Sequence, residues 1–441
     1  MKSSYDVSGK RELFIDDFLL DQTENLIFEK HSPVELSSDE SKPCGAYLTM
    51  LQDDEGFRFF YRGLDPSYNG PVNNNNPGEY IGVCQSSDAI HWQPLELNRF
   101  PGCTVPSETM FFGNDFTHNF VPFYDRNPQC KPEERYKATV GCRETGGLYA
   151  LSSADGVNWK LMQTEPIVKY EPEKTGKHML DSQNVAFYSE TEKCYVLYPR
   201  VWKTADGLTG LRSFARMTSN DFIHWSAMEF LKVNLPGEHL YVSGLMPYLR
   251  APHYYIGAAT RFFVNRGAAT DVTFIFTRDG KTMLRPFPEG WLRPGLDESR
   301  WSNRMNYMAW GMAQISPEEQ LFYHGHKKLM YKIRTDGFVS LATVKVAGGS
   351  FTTRVLHRTA GDMELNLSTS AAGGFKLAVC DVDGKPLPGY DFADMDEFYG
   401  DSIAFSPDWH GKKLSDLPSG DFRLRGVMTE CDLYSIAFPV K

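Results

Sequence analysis

Short apolar runs separated by polar turns recur along most of the chain. Residues 117–124 (THNFVPFY), 136–142 (YKATVGC), 148–151 and 159–162 follow one another, then 184–188, 194–198, 213–217 and a run that opens at Trp225. Runs of this length, rich in Val, Phe and Tyr and bounded by Gly, Asn and Asp, predict β-strands. The turns form a repeat of their own. Ser87-Asp88-Ala89-Ile90-His91-Trp92 is echoed by 153–159 (SADGVNW) and by Ser219-Asn220-Asp221-Phe222-Ile223-His224-Trp225. The aspartates stand 67 and 66 residues apart, and weaker copies follow at Asp279-Gly280 and Asp336-Gly337. In each copy Ser and Asp side chains can bond nearby amides, and the Trp begins the next strand.

Five copies at a near-even period mean five structural units. Each holds about four strand-like runs, which is the content of a β-propeller blade. The predicted fold is therefore all-β: a five-bladed β-propeller over residues 1–345, followed by a C-terminal β-sandwich over 346–441. The segment 12–20 (ELFIDDFLL) is expected to pair with the last blade and close the ring, and Asn73–Asn76 to be a mobile surface loop.

Composition sharpens this picture. The 8 Trp, 22 Tyr and 30 Phe, with 37 Gly and 26 Pro, suit a turn-rich β protein. A net charge of −10 argues against a nucleic-acid or anionic-membrane partner. No apolar run is long enough for a membrane helix, and the first eleven residues have no signal-peptide core. The chain is expected to be periplasmic or secreted if a signal was removed, and otherwise cytoplasmic. The eight cysteines have no metal-ligand spacing, so neither a metal nor another cofactor is expected. Most are expected to be buried thiols, with a Cys380–Cys431 bridge left open.

The Ser-x-Asp-x-x-[Asn/His]-Trp turns resemble those of sugar-active propellers, including the Asp boxes of sialidases. Five blades and a sandwich are similar to glycoside hydrolase families 32 and 68, and the propeller alone to family 43. The family 32 opening Trp-Met-Asn-Asp-Pro-Asn-Gly is absent, so fructose specificity is not implied. The opening Arg11 to Asp17 is similar to that of a divergent branch of these propellers. The resemblance implies a glycoside hydrolase acting on an oligo- or polysaccharide. A non-catalytic carbohydrate-binding propeller and a sugar-active lyase or phosphorylase stay open as alternatives.

Glycoside hydrolysis needs two carboxyl groups, one protonated and one ionised. In a propeller they are expected where the innermost strands begin. Asp181 is the expected base or nucleophile, Glu238 the acid, and Glu40 a third carboxylate. His118, Asn119, Gln183, Asn184, Tyr241, Arg200 and Arg261 are the expected substrate-binding residues. Arginines beside aromatic rings suit sugar acids or sulfated sugars.

Overall fold

The structure is a computed structural model and describes residues 4–36, 43–113, 116–344 and 348–440. By backbone contacts the chain forms two compact units. One holds residues 33–315 and 320–332; the other holds 1–32, 316–319 and 333–441.

The first unit is a five-bladed β-propeller. Its innermost strands are Ala46–Gln52, Val121–Tyr124, Val185–Ser189, Leu245–Tyr248 and Ala313–Gln314, each at the edge of its own antiparallel sheet. Those of blades two and three match the apolar runs at 117–124 and 184–188 to within one residue at their C-terminal ends. Ring closure differs from the expectation. Val34–Leu36 supplies the outer strand of blade five, pairing Leu36 with Met330 and Val34 with Lys332. Arg300 clamps this strand by an ion pair to Glu35 at 3.0 Å. The segment expected to close the ring lies in the second unit, where Arg11–Leu13 pairs with residues 435–437. The pairing is set by a hydrogen-bond register that an apolar run alone does not specify.

The Asp turns are the same structure four times over. Asp155 Oδ1 accepts from the Val157 and Asn158 amides at 2.9 and 2.7 Å. Asp88, Asp221 and Asp279 do the same for Ile90 and His91, Ile223 and His224, and Lys281 and Thr282. The residue after each Asp has a left-handed backbone: Ala89, Gly156, Phe222 and Gly280 have φ of 62°, 72°, 68° and 72°. The turn's amides hold this conformation even where the residue is not glycine. The fifth copy departs from the others. Asp336 pairs with Arg11 at 3.2 Å and accepts from Ser435 inside the second unit.

The second unit is all-β. Two long strands, Glu364–Cys380 and Gly420–Ala437, pair with each other and organise a ten-stranded sheet system consistent with a sandwich. Its core includes Phe14, Leu19, Phe351, Leu377, Trp409 and Leu433. The expected boundary at residue 345 differs from this division, because 1–32 and 333–344 build strands of the second unit. Cys380 and Cys431 are buried free thiols.

The Asp turns carry a pH dependence. Burial raises the Asp155 carboxyl, but the Asn158 and Val157 amides and the Asn158 side chain outweigh it and hold the group at about 2. A carboxylate held below its ordinary value stabilises the fold above about pH 4, and that contribution is lost as pH falls through about 2. Asp155→Asn is expected to melt below the parent at neutral pH and to converge with it as pH falls through that window. Calorimetric melting over a pH series checks this, and equal melting at neutral pH counts against it.

Candidate functional site

The site lies where the five innermost strands begin. At this end the chain adopts a left-handed backbone in every blade: Tyr47 (φ 51°), Asn119 (57°), Leu180 (62°), Gly244 (62°) and Arg304 (56°). Such conformations at non-glycine residues cost about 1–3 kcal/mol each and concentrate at functional sites. Buried amides hold two of them. Asn119 Nδ2 donates to the Leu180 carbonyl at 3.1 Å and Asn184 Nδ2 donates to it at 3.0 Å.

Below the mouth the axis is filled. The Leu48 carbonyl of blade one accepts from Gln183 Nε2 of blade three at 3.0 Å and from the Trp310 amide of blade five at 2.9 Å. Trp310 Nε1 donates to the Leu245 carbonyl of blade four at 2.9 Å. These buried groups form a floor.

Above the floor stands a cluster of rings, guanidinium groups and two carboxylates. Tyr47 Oη meets Tyr241 Oη at 2.6 Å, and the Tyr47 and Tyr307 rings stack 6.0 Å apart. Arg62 packs over Tyr47, with Cζ 4.7 Å from the ring centre. Burial, then the neighbouring Tyr241 and Asp181, hold the Tyr47 phenol well above its usual range. Asp181 accepts from Asn74 Nδ2 at 3.1 Å and pairs with Arg200 Nη2 at 3.3 Å; its side chain is 24% exposed. The second carboxylate is Glu79, 7% exposed, with Oε2 2.9 Å from His118 Nδ1 and Oε1 3.7 Å from Arg62. His118 Nδ1 also accepts from the Asn75 amide at 3.0 Å. Consecutive residues of one blade-one loop thus touch both acid groups. Asn76 is buried, so the Asn73–Asn76 stretch is part of the site wall and not the mobile surface loop expected.

Two histidines complete the wall. Burial, then Arg143 and Arg200, lower His178; burial, then Arg212 and Arg200, lower His239. Arg212 packs against Phe262 and Trp202, with Cζ 4.0 and 4.6 Å from the ring centres.

The expected residues divide as follows. Asp181, His118, Tyr241 and Arg200 meet in this cluster. Asn119, Gln183 and Asn184 lie beneath it as buried ties: Asn184 Nδ2 donates to the Leu180 and Ser182 carbonyls and Oδ1 accepts from the Arg200 amide. Glu238 is not brought to Asp181. Arg285 grips both its oxygens at 2.6 and 3.0 Å, and the Leu235 amide donates to one of them. With its lone pairs committed to that loop, it is corrected to a structural clamp. Arg261 is likewise locked, by Asp271 at 2.7 and 2.5 Å. Successive strand residues face opposite ways; Phe262 stacks on Tyr241, so its neighbour Arg261 faces the other side of the sheet. Glu40 lies outside the described residues. Glu79 was missed because it heads a third strand, Glu79–Ser86, and the acid search covered only the innermost ones.

Asn184→Ala removes three buried hydrogen bonds. It is expected to lower stability by about 2–3 kcal/mol through the backbone that carries Asp181. Urea unfolding checks this. An unchanged midpoint contradicts the structural role.

No protein-family profile matches the sequence, and no curated protein matches it. Among solved structures, a member of the GH130 family of mannoside phosphorylases, which contains glycoside hydrolases that target β-1,2-mannosidic linkages in Candida mannan, is 12% identical, with a TM-score of 0.46 over 72% of this chain and 95% of that one. An endo-arabinase from Bacteroides thetaiotaomicron is 12% identical, with a TM-score of 0.42 over 70% and 96%. An N-acetylgalactosamine deacetylase from F. plautii, in complex with blood group B trisaccharide, is 11% identical, with a TM-score of 0.41 over 91% and 95%.

Proposed function

We propose that the propeller unit is the catalytic one and that the protein is a glycoside hydrolase acting on an oligo- or polysaccharide at this mouth. The observation that carries the reading is the pair of acid centres, Asp181 and Glu79–His118, reached by adjacent residues Asn74 and Asn75 at the open end of a floored ring. Hydrolysis needs one group that gives a proton and one that stays ionised.

Asp181 is the base or nucleophile. It is the more open carboxylate, and Arg200 and Asn74 orient it without covering it. The Glu79–His118 pair is the proton source. Nδ1 of His118 accepts from an amide, and Arg62 Nη1 approaches it at 2.8 Å. Nδ1 has a single in-plane position and serves one of these contacts at a time; the state that acts as proton source is the one with a proton between Nδ1 and Glu79 Oε2, 2.9 Å apart. Either water attacks the anomeric carbon while Asp181 takes its proton, or Asp181 attacks and water then cleaves the resulting ester; in both, the bond to the leaving oxygen breaks and that oxygen takes the proton of the Glu79–His118 pair.

A second reading, a polysaccharide lyase, draws on the buried Tyr47–Tyr241 pair beside Arg304, whose Nη1 lies 3.4 Å from Tyr241 Oη. A lyase needs a tyrosine or histidine that accepts a proton beside an arginine; the surroundings of Tyr47 oppose its ionisation, and Arg261 is already locked to Asp271. Hydrolysis is therefore preferred.

A screen against plant and algal glycans, read by both new reducing ends and near-ultraviolet absorbance of unsaturated products, separates the two. With an active substrate found, Asp181→Asn is expected to cut turnover by about 10²–10⁴-fold while melting and sugar binding are kept. Retention of most of the rate overturns the role of Asp181, and unsaturated products overturn hydrolysis.

A further inference from the structure

The charges of the mouth do not balance. Arg62 has Glu79 at 3.7 Å, Arg143 has Glu144 at 2.5 Å, and Arg200 has Asp181 at 3.3 Å. Arg212 and Arg304 have no carboxylate partner among the described residues, although both stand beside Tyr241. Burying a cation without a counter-charge is costly; that cost falls on the half-buried Arg212, while Arg304 is exposed.

The donors are also incompletely used. Arg200 is a buried residue whose Nε and Nη2 both donate to the His178 carbonyl, at 3.0 and 2.6 Å; its Nη1 is buried and has no hydrogen-bond partner. Arg212 Nε is likewise buried without one. Arg212 Nη1 lies 3.4 Å from His239 Nδ1, which also accepts from the Arg212 amide at 3.2 Å. Burial and then Arg200 lower Arg212 to about 10, so it stays charged at neutral pH beside another cation.

Stacking on Trp202 and Phe262 fixes the plane of the Arg212 guanidinium and leaves its edge for in-plane hydrogen bonds. A planar fork of that kind matches an oxyanion. His178 and His239 are held towards their neutral forms, so the positive charge at this wall belongs to the arginines. Neutral sugar hydroxyls do not compensate the unpaired, half-buried Arg212 charge.

We propose that Arg212, with Arg304 and Arg200, all three beside Tyr241, forms an oxyanion-binding subsite of the mouth. Its ligand is an acidic group of the substrate, a carboxylate or sulfate carried on the sugar, or a free phosphate that enters with it. This deepens the glycoside reading by naming the substrate class, and it rests on that reading for its sugar part.

The test is calorimetric binding to the intact protein, with glucuronic acid, a sulfated monosaccharide, inorganic phosphate and neutral glucose as probes. At least one anionic probe is expected to bind about tenfold or more tightly than glucose, since a charge-assisted contact is worth that much. The preference is expected to weaken with added salt. Arg212→Gln is expected to abolish it, and Arg212→Lys, which keeps the charge but not the fork, to restore only part. Both variants are first checked for an unchanged melting temperature. If Arg212→Gln melts lower, Arg304→Gln, at an exposed residue, takes its place and is expected to weaken the anion at least threefold. Preference for the acidic sugars places the anion on the glycan; preference for phosphate alone places it on a co-substrate.

Equal binding of glucose and every anion, or a preference untouched by the substitutions, overturns the subsite. The same titrations on Asp181→Asn keep the two proposals apart. Anion preference should persist there, because a negative charge next to Arg200 has been removed and no donor has been lost. Persistence together with unchanged turnover would overturn the hydrolytic role alone.

Discussion

The hydrogen bonds that cross the propeller axis at the Leu48 carbonyl are the constraint on which the rest of the site depends. One oxygen accepts from blade three through Gln183 and from blade five through Trp310, and Trp310 reaches on to blade four. A ring of sheets that meet only at their inner edges leaves a channel. Here buried donors and acceptors close it, and leaving any of them unpaired would cost about 1–3 kcal/mol. Three mouth residues are within three positions of such a tie. Tyr47 precedes Leu48, Asp181 stands two residues before Gln183, and Tyr307 three before Trp310. Rigidity at the floor is thereby passed to the atoms above it.

The strained backbone follows from the same geometry. A chain that crosses from an outer loop to an axial strand must turn sharply, and Tyr47, Asn119, Leu180 and Arg304 do so through left-handed residues. Leu180 is the most telling, because a buried, branched side chain gains nothing from that conformation. Its carbonyl is held by two asparagine amides and its own amide donates to the Arg200 carbonyl. The cost is offset by a network that also fixes Asp181 next in sequence and Arg200 on the neighbouring strand. Asn119, Gln183 and Asn184 therefore each tie the backbone through their side-chain amide N–H groups.

What the sequence disclosed, and what it hid, follows from the range of each interaction. The Asp turns are written within six residues, as side chains bonding amides two and three positions on, so Asp88, Asp155 and Asp221 were legible at once. The innermost strands were legible as apolar runs spaced by those turns, and Asp181 as a lone acid at the head of one. Ring closure was not, because Val34 pairs with Lys332 and nothing local distinguishes that segment from the apolar stretch at 12–20. Glu238 looked free since its partner, Arg285, is 47 residues later. Arg261 looked like a wall residue because the facing of a strand residue is settled by parity, and only Phe262 against Tyr241 fixes that parity. Glu79 heads the third strand of blade one, two strands out from the axis, and enters the site through His118 of the next blade.

The aromatic content of the mouth has a consequence for how it discriminates ligands. Rich Trp and Tyr content suggests stacking platforms for pyranose rings, but a ring face serves one partner at a time. Arg212 occupies faces of Phe262 and Trp202, Arg62 lies over Tyr47, and Tyr241 is stacked on Phe262 at 5.6 Å. The rings here are used to desolvate and orient guanidinium groups, which strengthens the arginines' electrostatic pull in a less polar setting. The wall contributed by blades three and four therefore selects by charge and by the direction of N–H donors. Under the proposed oxyanion subsite, selection by the shape of a neutral sugar face would fall to whatever surface the arginines leave uncovered.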